Sequence, residues 1–472
     1  MRIFTILLAF VGVTLADERP NFVFFITDDV SAEDLGCYGS EFAQTPNLDR
    51  MAAEGLRFTN AYLSISSCSP SRCSIVTGRY PHNTGAPELH TSLPKTQTTF
   101  VQALQSSGYH TVISGKNHMG KAPDLGFDVS SGGKGPGKEE DWVKLLAERP
   151  TDKPFFCWFG SSDAHRGWQA DDTAPTYDPE KVPVPPYLFD GPKTRKDLAD
   201  YWHEVSRTDF YLGELRKELK RQGIEKNTYI IYCADNGRPF PRCKTRLYDS
   251  GIKTPLLIAN PGAIKPGVID SIVSSIDFSA TILELAEVEK PPTIQGVSFA
   301  PVLKDPAAVT REFAFAEHNW HVFQAHERMV RFGDWIYIKN AFPEKQNLCM
   351  EGDPTFPAGE ELWAAEKAGQ LKPEQRDIFQ IPRLGEELYR VSKDPHQLAN
   401  LASNPEQAPV LEEARRLLAS WSEQTGDTVP DSPTNDRQDA YGKKFKDHKR
   451  GTLPGEDAGA TEINAAGPVK SK

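Results

Sequence analysis

Four short apolar runs in this chain each end abruptly in a polar cluster. Residues 21–26 stop at Asp28-Asp29, 109–114 at Lys116 and His118, 155–159 at His165, and 228–234 at Asp235-Asn236. Their β-branched and aromatic content predicts buried strands of a mostly parallel sheet. Helical stretches separate them: 46–54 has Pro46 at its start and Gly55 just past its end, and 194–222 is long, amphipathic and closed by Gly223. Ligands of open α/β sheets sit beyond the carboxyl ends of the strands, so the pattern gathers four distant polar clusters at one edge.

At 472 residues the chain exceeds one ordinary core, which predicts a large domain plus a smaller one. The sheet domain is expected over 19–301 and a second unit over 302–425, within which 329–340 alternates like a hairpin. Residues 426–472 are rich in Asp, Lys, Gly and Pro and read as a disordered tail. Residues 1–16 read as a signal peptide, with Arg2 before an apolar run and small residues Thr14 and Ala16 before a cut. That run is too short for a permanent anchor, so a secreted or periplasmic protein without a membrane anchor is expected.

Seven cysteines are odd in number and lack zinc-type pairing; Cys157 and Cys233 lie inside apolar runs and read as buried thiols. The net charge of −11 excludes nonspecific nucleic-acid binding by the whole surface, and an anionic substrate needs a local basic pocket.

Asp28, Asp29, Asp235 and Asn236 make an oxygen-only donor set that suits Ca²⁺ or Mg²⁺. Singly, an Asp-Asp pair can cap a helix and Asn236-Gly237 is a turn signal. The sharpest motif is Cys68-Ser69-Pro70-Ser71-Arg72 followed by Thr77-Gly78-Arg79. Taken alone, its cysteine could be half of a disulfide with Cys73 or a buried thiol.

The motif matches C-x-P-S-R-x-x-x-x-T-G-R at every fixed position, and the chain thereby resembles the formylglycine-dependent sulfatases. The resemblance implies an α/β fold of alkaline-phosphatase-like sandwich type, with a large mixed, mostly parallel central sheet flanked by helices and a smaller C-terminal α+β subdomain. It implies that a separate maturation enzyme oxidises Cys68 to formylglycine, whose hydrated aldehyde attacks sulfur and later expels sulfate. One divalent cation, Ca²⁺ for preference, is implied at Asp28, Asp29, Asp235, Asn236 and residue 68. Arg72, Lys116 and Lys244 supply positive field. His118, in Gly115-Lys116-Asn117-His118-Met119-Gly120, is implied to take the formylglycine hydroxyl proton, and His165 to protonate the leaving group.

Finer motifs are similar to the heparan N-sulfatase branch: Ser66-Ser67-Cys68, Asp163-x-His165-Arg166, and Asp235-Asn236-Gly237-x-Pro239-Phe240-Pro241 leading to Thr245-x-Leu247-Tyr248. Glu387-Leu388-Tyr389, Asp394-Pro395-His396 and Asn400-Leu401 resemble the closing motif of sulfatase C-terminal subdomains. Lys244 stands where arginine is expected in animal members, and Asn117 replaces a lysine. An animal source would imply a lysosomal enzyme. The first reading is hydrolysis of N-sulfated glucosamine in a sulfated saccharide, the second O-desulfation of another glycosaminoglycan or an algal polysaccharide. The third is a silent sulfoglycan-binding protein with unconverted Cys68. A phosphohydrolase is disfavoured because related ones carry serine or threonine nucleophiles and histidine-rich zinc sites. His90, Arg166, Arg238, His321 and His326 are candidate sugar contacts.

Overall fold

A computed structural model of the protein describes residues 19–471, so the expected signal peptide lies outside the described residues. Eight strands form the central sheet, in the order Val129–Ser131, His110–Gly115, Phe155–Gly160, Asn21–Thr27, Thr228–Ala234, Leu256–Ala259, Leu56–Phe58 and Gly267–Ile269. Only Leu256–Ala259 runs against the others. The four apolar runs are thus four adjacent parallel strands, buried along nearly their whole length. Side chains alternate between the faces of a strand. Accordingly Phe22, Phe24 and Ile26 enter one hydrophobic layer, with Ile75, Val76 and Phe278, while Val23 and Phe25 enter the other, with Leu198, Trp202 and Leu215.

The helix Pro46–Glu54 has the predicted bounds, and the long helix runs Pro192–Arg221. A second sheet of four antiparallel strands, Phe313–His318, Glu327–Phe332, Trp335–Asn340 and Glu386–Arg390, contains the expected hairpin. One of its faces packs Phe315, Val330 and Tyr337 against Leu417 and Trp421 of helix Ala408–Thr425. The opposite face packs Ala316, Met329 and Ile338 against Leu247, Tyr248 and Ile252, which holds the segment after Asp235 in place.

The disordered reading of 426–472 is corrected by the structure for 426–471, which bonds both to Arg79 and Asn83 after the Cys68–Thr77 helix and to Arg328 of the second sheet. The physical reason is that this segment is held mainly through polar groups, which a composition poor in large apolar residues does not reveal. Arg79, the last residue of the sulfatase-like motif, donates to the Thr461 and Ile463 carbonyls at 2.9 and 3.0 Å, and Asn83 Nδ2 donates to the Ala460 carbonyl at 2.7 Å. Asp427 accepts two 2.7 Å bonds from Arg328. Cys73, Cys157 and Cys233 are buried free thiols, so Cys73 is not bridged to Cys68. Among the described residues no helix is long and apolar enough to cross a membrane.

Candidate active site

Each of the four adjacent strands delivers its polar cluster to the same sheet edge. Asp28 follows Asn21–Thr27, Lys116 follows His110–Gly115, His165 lies five residues beyond Phe155–Gly160, and Asp235 follows Thr228–Ala234. Opposite them stands helix Cys68–Thr77, with Cys68 as its first residue. The helix ends at Gly78, whose φ of 64° and tight approach to Ser279 Oγ, 2.1 Å from where a Cβ would lie, exclude any side chain.

Three buried carboxylates each meet one cation. Lys244 Nζ sits 2.7 Å from both oxygens of Asp29, Arg72 Nε donates to Asp235 Oδ2 at 2.7 Å, and Lys116 pairs with Asp28. Asn236 Nδ2 donates to Asp29 Oδ1 at 2.5 Å and the Asp29 amide to Asp235 Oδ1 at 3.2 Å. Cys68 Sγ lies 4.0 Å from Asp29 Oδ1, and ligand atoms of Asp28, Asp29 and Cys68 fall within 4.8 Å of one another. Asp28 Oδ1 and Asn236 Oδ1 are buried with no hydrogen-bond partner. Buried oxygen acceptors are normally satisfied, so two orphaned ones beside three carboxylates fit a hard divalent cation. The expected metal residues are therefore together, with Asp235 and Asn236 joined to the compact Asp28, Asp29 and Cys68 group by hydrogen bonds.

Burial tunes these groups strongly. Burial and the neighbouring Asp28 push Asp29 up to about 7 despite Lys244, and burial and Asp28 push Asp235 up to about 6 despite Arg72. Burial alone would raise Asp28, but Lys116 and the surrounding cations hold it well below the usual carboxylate range. The Cys68 thiol is pushed by burial up to about 12, so an unmodified thiol stays protonated and is a poor nucleophile. Burial with Lys116 and Arg72 brings His118 down to about 3, and burial with Lys244 brings His165 down to about 4.

Anion-seeking groups remain open. Arg72 Nη2 and His118 Nδ1 are buried without partners. Asp29 and His118 hold left-handed φ values of 57° and 61°, a conformation costly for side-chain-bearing residues and concentrated here at the site. His118 Nε2 lies 2.8 Å from Nδ1 of the exposed His90, which places His90 at the mouth. His321 is buried and bonds Ser67 Oγ at 2.7 Å, directly before the Cys68 helix.

Arg166, Arg238 and His326 have other employment. Arg166 Nη1 donates to both oxygens of Asp197 at 2.9 and 2.8 Å, Arg238 is buried between Glu33 and Asp34, and His326 bonds the Thr428 carbonyl and Arg328. Sequence reasoning missed Glu351, from the 3₁₀ turn Met350–Gly352, whose charge bears on Lys244 and whose Oε2 is buried and unpartnered. No spacing relative to the other motifs marks it; only the packing of the smaller domain brings it near.

The sulfatase family model matches residues 20–135 and 140–288, and a second, described as N-sulphoglucosamine sulphohydrolase, C-terminal, matches 243–335. The chain is 30% identical to human N-sulphoglucosamine sulphohydrolase over 467 residues, covering 88% of this chain and 92% of the human one. It is 28% identical to an ulvan-active sulfatase of Formosa agariphila, covering 88% and 77% of the two chains. A structure solved in complex with its substrate D-glucosamine-2-N,6-O-disulfate superposes with a TM-score of 0.67 at 22% identity, covering 86% of this chain and 98% of that one. The chain belongs to the sulfatase family and is a sulfate ester hydrolase, with the mixed, mostly parallel sheet and small antiparallel C-terminal sheet expected.

Proposed function

We propose that the protein removes sulfate from sulfated saccharides, with N-sulfated glucosamine as the preferred class of substrate, after Cys68 has been converted to formylglycine. The observation that carries the reaction is the one-to-one pairing of Asp28, Asp29 and Asp235 with Lys116, Lys244 and Arg72 around residue 68. Asp28, Asp29, Asp235 and Asn236 would hold Ca²⁺, which when bound supplies Lewis-acid polarisation of a sulfate oxygen. Formylglycine at position 68 supplies, once formed, the hydroxyl that attacks sulfur.

The remaining work falls to the chain's own groups. Arg72 Nη2, Lys116 and Lys244 orient the sulfate. His118 Nδ1 takes a proton from the hydroxyl of residue 68. His165 protonates the leaving nitrogen or oxygen; burial keeps its pKa low in the free site, helped by the field of Lys244 and Lys116, and an arriving anion offsets that field. The preference for N-sulfated glucosamine is supported by the match of 243–335 and by the 30% identical human relative. O-desulfation of another polysaccharide is the second reading, favoured by the similarity to ulvan-active sulfatases.

The test is to measure free sulfate released by matured protein from defined N- and O-sulfated mono- and disaccharides, alongside the mass of the peptide containing residue 68. Release from N-sulfated glucosamine by protein carrying formylglycine is expected. Release from O-sulfated sugars alone would replace the first reading by the second, and full activity with unmodified Cys68 would sink the mechanism.

A further inference from the structure

The C-terminal segment does more than close the fold, because it brings charge to the mouth of the site. Arg450 pairs with Glu88 at 2.8 Å and stacks over Trp320 at 4.3 Å from the ring centroid. Trp320 donates from its indole to the Asn435 carbonyl at 2.9 Å, and its own carbonyl accepts from the Leu89 amide. Both neighbours of that contact, His90 and His321, belong to the site described above. Arg437 follows from the same strap: its amide bonds the Val322 carbonyl, its guanidinium lies 6.0 Å from the Trp320 ring, and Nη2 sits 4.0 Å from Met350 Sδ, beside Glu351.

Among the described residues, Arg437 forms no ion pair, and its Nε is buried without a partner. Glu88 is committed to Arg450 and Thr434, Asp436 to the Gln324 amide, and Asp353 to Gln438 and Thr355, while the charge of Glu351 bears on Lys244 and not on Arg437. The charge of Arg437 bears instead on His90 and His321. Arg437 is half-buried, so its guanidinium stays open to an incoming ligand, and its planar fork matches carboxylate and sulfate geometry.

We propose that Arg437, carried to the rim of the catalytic site by the C-terminal segment, binds a second anionic group, a sulfate or a uronate carboxylate, on the saccharide whose sulfate is removed. The proposal rests on the sulfated-saccharide reading above. Arg437 thereby selects multiply charged glycans over singly sulfated sugars, and the chain segment least like a domain becomes a specificity element.

The test compares wild type with Arg437→Ala and Arg437→Lys on D-glucosamine-2-N,6-O-disulfate, on its monosulfated counterparts, and on a uronate-linked disaccharide bearing a single sulfate. The quantity read is the ratio of kcat/KM for each doubly anionic substrate to that for the monosulfated sugar. In Arg437→Ala this ratio should fall about 10- to 100-fold, the scale of one lost hydrogen-bonded charge contact. Arg437→Lys, which keeps charge and volume but loses the fork, should lie between. A fall confined to the disulfate assigns a sulfate, and one confined to the disaccharide assigns a carboxylate. Unchanged ratios, whether every rate falls alike or none falls, would overturn the proposal. A wild type that cleaves an aryl sulfate but no saccharide would instead overturn the glycan reading, and this subsite with it.

Discussion

Lys244 Nζ is equidistant, at 2.7 Å, from the two carboxylate oxygens of Asp29, and it opposes the burial that pushes that carboxyl up to about 7. With Asp28 on Lys116 and Asp235 on Arg72, three carboxylates face three cations. Once all three are ionised the protein part is balanced, and because burial pushes Asp29 up to about 7 and Asp235 up to about 6, a bound divalent ion favours that ionised state and leaves a net positive pocket for a sulfate group. The same pairing explains why such a charged cluster survives burial, since each ion has a partner and most lone pairs are met.

Removing Lys244 should therefore injure both stability and turnover. Lys244→Ala leaves Asp29 buried without its cation, a loss of roughly 3 kcal/mol on the scale of broken buried pairs. Lys244→Arg restores the charge and can fork onto the carboxylate, so it should recover most of the melting temperature and part of the rate. Thermal unfolding in calcium-free buffer and sulfate release measure the two effects. Equal behaviour of the alanine and arginine variants would refute the pairing argument.

Calcium should stabilise the folded protein through the orphaned Asp28 Oδ1 and Asn236 Oδ1. A ligand that binds only the folded state at a hundred times its Kd adds about 2.7 kcal/mol. Chelation should lower the melting temperature and abolish sulfate release, and calcium should restore both. Asn236→Ala should shrink the calcium-dependent shift beyond the fall in metal-free melting temperature that follows from losing its buried hydrogen bond to Asp29. A shift produced by zinc and not by calcium would contradict the oxygen-donor assignment.

The two main sheets differ in how far the sequence discloses them. The strands 21–27, 110–115, 155–160 and 228–234 were legible because a strand buried on both faces is uninterruptedly apolar and its polar terminus is abrupt. Asp28, Lys116, His165 and Asp235 were legible for the same reason. Arg166 and Arg238 are candidate sugar contacts in the sequence, and the structure pairs them with the buried Asp197 and Asp34; an arginine beside a motif looks alike in sequence whether it faces substrate or a buried aspartate. Residues 426–471 were misread because backbone carbonyls that accept from Arg79, Asn83 and Gln295 leave no hydrophobic period.

Asp427 is the best test of that misread segment. Burial would raise its pKa, but Arg328 and His82 hold it well below its ordinary 3.8. A depressed folded pKa means the contribution is complete above the unfolded value and is lost as pH falls below it. Asp427→Asn should cost roughly 3 kcal/mol near neutrality, and the gap from wild type should narrow as the pH drops below about 4. Melting curves across that range measure the gap, and limited proteolysis should cut the variant within 428–471 first. A gap independent of pH would show that the ion pair does not hold the strap.

His165 carries the most demanding prediction. It stands beyond the strand Phe155–Gly160, beside Asp28 and under the field of Lys244, with Nδ1 3.1 Å from the Arg166 carbonyl. That contact suits an Nδ1–H donor and leaves Nε2 to face a leaving group. Burial and the lysine keep the imidazole at about 4 in the free site, so its proton must arrive with the anion. His165→Ala should then lower turnover of substrates with poor leaving groups by about 10² to 10⁴, and of an activated aryl sulfate far less, because an aryl oxide needs little protonation. An amine anion is a worse leaving group than a sugar alkoxide, so an N-sulfated sugar, whose nitrogen must be protonated as the S–N bond breaks, should show the largest loss of all. The ratio of losses across the three substrates is the measurement. Equal losses would make His165 a binding residue and leave the acid to another group at the same sheet edge.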